Sequence, residues 1–112
     1  MSLRAVLALA LLFALVSDPP AARAADAANG KAVFDAECAK CHGADGSGDT
    51  PAGKALKVPS MHDPRLTGPD SLETIKKVFA ENPKHSSIKG KISPEELDAV
   101  AAYVKLLAAG GA

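Results

Sequence analysis

Both cysteines of this 112-residue chain fall within five residues, Cys38-Ala39-Lys40-Cys41-His42, and that run constrains the fold more than anything else in the sequence. Two thiols spaced by two residues, with an imidazole adjoining, make a compact donor set. A thioredoxin-like redox pair with this spacing requires a βαβ setting, and no segment here alternates as a strand does. A structural zinc site requires two further ligands at matching spacing. The other histidines, His62 and His85, pair at short spacing with nothing of that kind. A plain Cys38–Cys41 disulfide would close a tight loop and contribute little stability. The remaining chemistry is covalent attachment of a porphyrin. Two thiols then reach neighbouring edges of one flat macrocycle, and the adjoining histidine sits over its centre and binds iron through Nε2. The motif predicts one haem c, with Cys38 and Cys41 as tethers and His42 as the proximal ligand. The disulfide stands as the alternative.

The length is enough for one domain, and the composition is that of a chain in need of such a group. Apolar residues make up 47%, but much of this is alanine, with three Phe, one Tyr and no Trp. A domain this small removes only about 60–65% of its unfolded surface from water and usually leans on a staple. A buried haem would supply a large flat apolar body. Formal net charge is zero, and there is neither a long basic run nor aromatic–basic interleaving. That excludes the nucleic-acid-binding class.

The first residues read as an address. Arg4 supplies a basic n-region, and Ala5 to Val16 run without a polar residue, the length of a signal core and too short to span a bilayer. Ser17-Asp18-Pro19-Pro20 breaks the helix, and Ala22-Arg23-Ala24 has the small-x-small pattern of a cleavage site. The expectation is a signal peptide over 1–24, a mature domain over 25–112 and a periplasmic location. Membrane contact is expected only if the signal is retained as an anchor.

Along the mature chain the patterns are helical. Residues 28–40 form a predicted helix with Val33, Phe34 and Cys38 on one face and Cys41 just past its end. Gly43 to Pro51 is a loop by composition, continuing irregularly through Pro59, Pro64 and Pro69 with a helical turn near 52–57. A loop that long in a small domain normally wraps something. Asp70 is the predicted cap of a helix from Ser71 to Glu81, with Glu73 completing a capping box and Leu72, Ile75, Val78 and Phe79 as the apolar face. Ser93-Pro94-Glu95-Glu96 opens a last helix reaching about Ala109, striped by Leu97, Val100, Ala101, Val104 and Leu107. The fold class is all-α.

These residues carry a resemblance. Gly30 and Phe34 on the first helix, the attachment run 38–43, the Gly-rich loop ending in Pro51, and the closing stretch from Lys89 to Leu107 together resemble the class I (mitochondrial-type) cytochrome c family. The similarity covers nearly all of residues 28–109. It implies a small cytochrome c fold, three to four helices and long loops wrapped around one covalently bound haem. It further implies that the first and last helices cross at right angles, that Gly30 permits their close approach and that Phe34 packs near Tyr103.

One departure from the family is informative. Its usual distal ligand is a methionine in the loop before the last helix, and here that position reads Lys84-His85-Ser86-Ser87. His85 lies 43 residues after His42, in the loop the family lays across the far face of the haem. Met61, the one methionine of the mature chain, lies 19 residues after His42 in the Pro-rich loop, with His62 beside it. Placement favours His85, and Met61, His62 or an open site are the alternatives. A second imidazole favours Fe(III) and lowers the potential relative to a thioether; axial identity spreads haem potentials over ~0.8 V. The Nδ1–H of His42 is expected to reach the carbonyl of Pro51 or Pro59.

Residues 54–91 carry eight basic and four acidic side chains, a balance of +4, between flanks of −3 (25–49) and −2 (92–112). Framing a haem edge, they would steer an acidic redox partner. The expected function is one-electron transfer without substrate chemistry. A haem enzyme or gas sensor with a labile distal site, and a small subunit of a larger redox complex, are the competing readings. No small-molecule substrate is evident.

Overall fold

The computed structural model describes residues 20–111, with side chains from residue 26 onward, so the segment read as an export signal lies largely outside the described residues. Helix α1 (Pro20–Val33) runs into a wider π turn at Phe34–Cys38, and the chain closes this first arm with α2 (Ala39–His42). Helix α3 (Pro51–Leu56), a 3₁₀ turn at Pro64–Thr67 and helix α4 (Ser71–Glu81) follow. Two further 3₁₀ turns, Pro83–His85 and Lys89–Lys91, lead into α5 (Pro94–Ala108). No strand occurs among the described residues. No helix among them is long and apolar enough to cross a membrane.

The first arm is helical for longer than the sequence pattern indicates, and it changes pitch. The amide of Ala39 donates to the carbonyl of Phe34, a five-residue turn that realigns Cys38 with the apolar residues one turn back. Such π turns inside helices recur at functional sites. Gly43, with φ 80°, ends the arm, its amide still bonded to Ala39 O.

The core sits between α1 and α5. Phe34, Tyr103, Val104 and Leu107 are its most deeply buried large side chains, with Val100 beside them and Val33, Leu66 and Ile75 packed around the edge. Phe34 and Tyr103 meet edge to face with ring centres 5.2 Å apart, as the resemblance implies. The helices can approach because residue 30 has no side chain: a Cβ there would lie 1.9 Å from the carbonyl oxygen of Ala99. Helix α4 packs on α5 more lightly, helped by Lys76, which bonds both Glu73 (3.3 Å) and Asp98 (2.9 Å).

Helix starts were legible to different degrees. The Ser93–Glu96 capping box of α5 forms in full, with Pro94 at the first helical position. The one expected at α4 does not. Asp70 has φ −91° and ψ 3°, too curled for its carboxylate to cap, and its side chain makes no cap bond. Ser71 Oγ instead donates to Gly68 O at 2.7 Å, and Glu73 turns to Lys76. The predicted apolar face of α4 also splits. Ile75, Val78 and Phe79 line one cavity, whereas Leu72 faces a surface groove beside α1 and α5.

Gly30→Val should therefore destabilise the fold by about 1–3 kcal/mol or more, because backbone rather than a yielding side chain opposes the new atoms. Gly90→Ala, where a Cβ meets nothing within 4 Å, should leave stability nearly unchanged. Denaturant titration of the two variants checks the contrast.

Candidate functional site

The α1–α2 arm, the Pro59–Leu66 stretch, α4 and α5 enclose a cavity of about 270 Å³. Close-packed interiors leave few voids larger than a water molecule, whose share of liquid is roughly 30 Å³, so a space of this size is a built feature. Its walls are chiefly apolar, from Phe34, Ile75, Val78, Phe79, Val100 and Val104. Two imidazoles and one thiol project into this setting, from His42, His85 and Cys38.

His42 is placed by α2, the last turn of the first arm, and its ring lies 6.4 Å from that of the fully buried Phe34. Burial, and secondarily the nearby His85, hold its proton affinity below the ordinary histidine range. The ring is therefore neutral, as a metal ligand must be. Its Nδ1 is buried without a hydrogen-bond partner. The expected bond to Pro51 or Pro59 is thus absent. Pro59 lines the cavity, but its carbonyl approaches Gly48.

His85 comes from the far side, on the short turn after α4. Its ring stacks on Phe79 (centres 4.9 Å apart, 27° between planes) and its Nδ1–H donates to Phe79 O at 3.2 Å. With Nδ1 so engaged, Nε2 carries the free lone pair. The two imidazoles face each other with centres 6.3 Å apart and planes 32° apart. The other candidates make different contacts. Met61 also lines the cavity, but it packs against the core and its side chain lies along Gly46, to whose carbonyl its amide donates at 2.8 Å. His62 has both ring nitrogens on backbone carbonyls, Nε2 on Asp45 at 2.6 Å and Nδ1 on Leu107 at 3.1 Å.

Cys38 and Cys41 are free, half-buried thiols. Burial first, then the neighbouring Glu37 and Cys41, push the Cys38 thiol up to about 11. A thiol so protonated is a poor partner for spontaneous disulfide exchange. Cys41 is not part of the cavity wall; its carbonyl anchors α3. Thr50 Oγ1 donates to Cys41 O at 2.7 Å and accepts the Gly53 amide at 2.8 Å. Gly53 fits under that contact because a Cβ would lie 2.5 Å from Cys41 O. Among the described residues no group of three His, Cys, Asp or Glu side chains is placed to hold a metal ion between them.

An all-α chain with this attachment run beside an apolar cavity defines a small haem protein of the cytochrome c class. The comparisons agree. The Cytochrome c family profile matches residues 27–108, and the chain belongs to that family. It is 37% identical over 97 residues to a cytochrome c6 of Thermosynechococcus vestitus, covering 87% of this chain and 84% of that one. It is 34% identical over 99 residues to a cytochrome c6 of Nostoc sp., covering 88% and 85%. A Nostoc protein described as cytochrome c6-like is 34% identical over 94 residues, covering 83% and 81%. No solved structure gives a significant match. The chain is thus a small electron-transfer protein with one covalently bound haem c and its iron. The site fits that group, for it combines an apolar cavity, two free thiols spaced by two residues and a half-buried imidazole whose Nδ1 has no partner.

Thr50→Val should remove both bonds of the α3 cap at once. We expect a loss of about 1–2 kcal/mol, read by denaturant unfolding of the haem-loaded protein.

Proposed function

We propose that this chain is an exported one-electron carrier whose haem is tethered by Cys38 and Cys41 and ligated by His42 and His85. The observation that carries the reading is the facing of the two imidazoles, 6.3 Å apart, across an apolar cavity. An imidazole nitrogen bonds a metal ion at about 2 Å, so two rings on opposite sides of one ion hold their centres about 6 Å apart. The Nδ1–H bond from His85 to a backbone carbonyl is how metal-bound imidazoles are commonly oriented. Met61 lines the cavity but packs against the core and along Gly46, and His62 has both ring nitrogens on backbone carbonyls, which favours His85 further.

The bound haem supplies the redox chemistry, its iron alternating between Fe(III) and Fe(II). The protein's part is environmental. Phe34, Val100 and Val104 keep water from one side of the cavity, and Phe79 orients His85. His42 stays neutral at physiological pH because it is buried. Two imidazoles favour the ferric state, so the potential should lie below that of a His/Met relative. With His85 committed as ligand, the carboxylate that lines the cavity among the described residues, Asp63, is tied to Arg65, which favours a carrier over an enzyme.

Export rests on the sequence of residues 1–24, with 25–112 as the mature domain. The partner is a redox protein with an acidic face. In the segment 54–91, Lys54, Arg65 and Lys76 are engaged in ion pairs with Asp49, Asp63 and the Glu73–Asp98 couple. Lys57, Lys77, Lys84, Lys89 and Lys91 lie outside those pairs and set the positive field of this segment.

His85→Ala should abolish the six-coordinate low-spin absorption spectrum, whereas Met61→Leu should retain it. A high potential in reductive titration, with the near-red charge-transfer band of a thioether ligand, overturns the assignment. Electron exchange with an acidic partner should slow as salt rises from 0.01 to about 0.15 M, where the Debye length shrinks to about 8 Å. Stopped-flow kinetics at several ionic strengths check this.

A further inference from the structure

The turn that carries His85 is the least anchored part of the site. Between the end of α4 and the start of α5 the chain makes only the two short 3₁₀ turns, and neither packs extensively on another element. Asn82 is the knuckle on which the segment hangs. Its amide closes α4 on Val78 O, its Oδ1 accepts the Lys84 amide at 3.0 Å, and its carbonyl accepts the His85 amide at 3.1 Å. Segments with few apolar contacts and exposed backbone bonds open locally at lower free energy than the core.

The bonds that hold this segment divide unevenly. His85 Nδ1 bonds Phe79 O, and Lys89 Nζ bonds Ala80 O. Both acceptors belong to α4, the same side as the knuckle, so neither prevents the segment from swinging away from the opposite wall. One bond does. Lys84 Nζ donates to Leu56 O at 2.6 Å, at the C-terminal end of α3 and 28 positions away in sequence. Among the described residues it is the sole hydrogen bond from residues 83–91 to anything beyond α4, Asn82 and the segment itself. An ammonium on the last carbonyls of a helix is favourably placed.

The other end of that tie matters as much. Helix α3 is fixed to α2 through Thr50 Oγ1 on Cys41 O, and α2 carries His42. The bond from Lys84 therefore closes a mechanical ring between the two parts of the molecule that bear the facing imidazoles. We propose that Lys84 is a latch holding His85 over the distal face, and that its release opens a site for a small uncharged ligand of haem iron, such as carbon monoxide or imidazole. This rests on His85 as the distal ligand. Lys84 acts through its neighbour and is a positioning residue.

The test uses the haem-loaded protein and its variants Lys84→Gln, Lys84→Arg and Lys77→Gln. Lys77 is an exposed α4 lysine that makes no side-chain hydrogen bond among the described residues, so it controls for loss of one charge. Carbon monoxide binding to the reduced form and imidazole binding to the oxidised form are followed at saturating ligand, where the rate reports opening. Lys84→Gln should bind about two- to fivefold faster than wild type. Lys77→Gln should match wild type, and Lys84→Arg, whose guanidinium can still donate to a carbonyl, should stay close to it. If electron paramagnetic resonance of the wild type lacks the signature of two axial imidazoles, the ligand assignment fails and the latch with it. If that signature is present and Lys84→Gln binds at the wild-type rate, the latch alone is overturned.

Discussion

The contact of α1 on α5 is the constraint on which the rest of the molecule depends. Gly30 lets the two backbones meet at the carbonyl of Ala99, and one turn further on Phe34 is fully buried between Tyr103 and the His42 ring. Position and environment of the His42 imidazole thus follow from a crossing formed by residues at opposite ends of the domain. The wider turn at Phe34–Cys38 adjusts the register so that the arm can present Cys38 and His42 to the same cavity. A chain with so few large side chains has little else with which to define an interior.

The opposite side of the cavity is built by different physics. Helix α4 contributes Ile75, Val78 and Phe79 as a wall, and its last carbonyls serve as acceptors for His85 and Lys89. Here hydrogen bonds and a single aromatic stack replace dense packing. The His42 side of the cavity is therefore held by burial, and the His85 side by a few polar ties. That asymmetry suits a haem protein, since one wall of the cavity is fixed by packing while the other is held by contacts that a few side chains set.

Electrostatics follow the same division. Burial lowers the proton affinity of His42 and raises that of the free Cys38 thiol, whereas the half-buried Asp63 and the exposed Asp45 carboxyls are held below their usual range by hydrogen bonds from Arg65 and Ser47. The second pair sits in loops that border the attachment run. Their bonds stiffen turns that carry no regular structure, which is how the Gly-rich and Pro-rich stretches keep one shape around the cavity.

The sequence by itself determined the all-α class, the α5 capping box and the pairing of Cys38 and Cys41 at a two-residue spacing with His42 adjoining. Each is local: a fixed spacing, a 3.6-residue period, or a side chain bonding a backbone amide three residues on. Tertiary structure alone decided that His42 Nδ1 lacks a proline partner, that Asp70 does not cap α4, and that Phe79 contributes a carbonyl as well as a ring. It alone decided that both nitrogens of His62 are engaged and that Lys84 reaches Leu56. Every one of these depends on where a backbone carbonyl comes to rest. A carbonyl is present at every position of any chain, so no residue letter records which of them a side chain will meet; only the folded path of the backbone selects it.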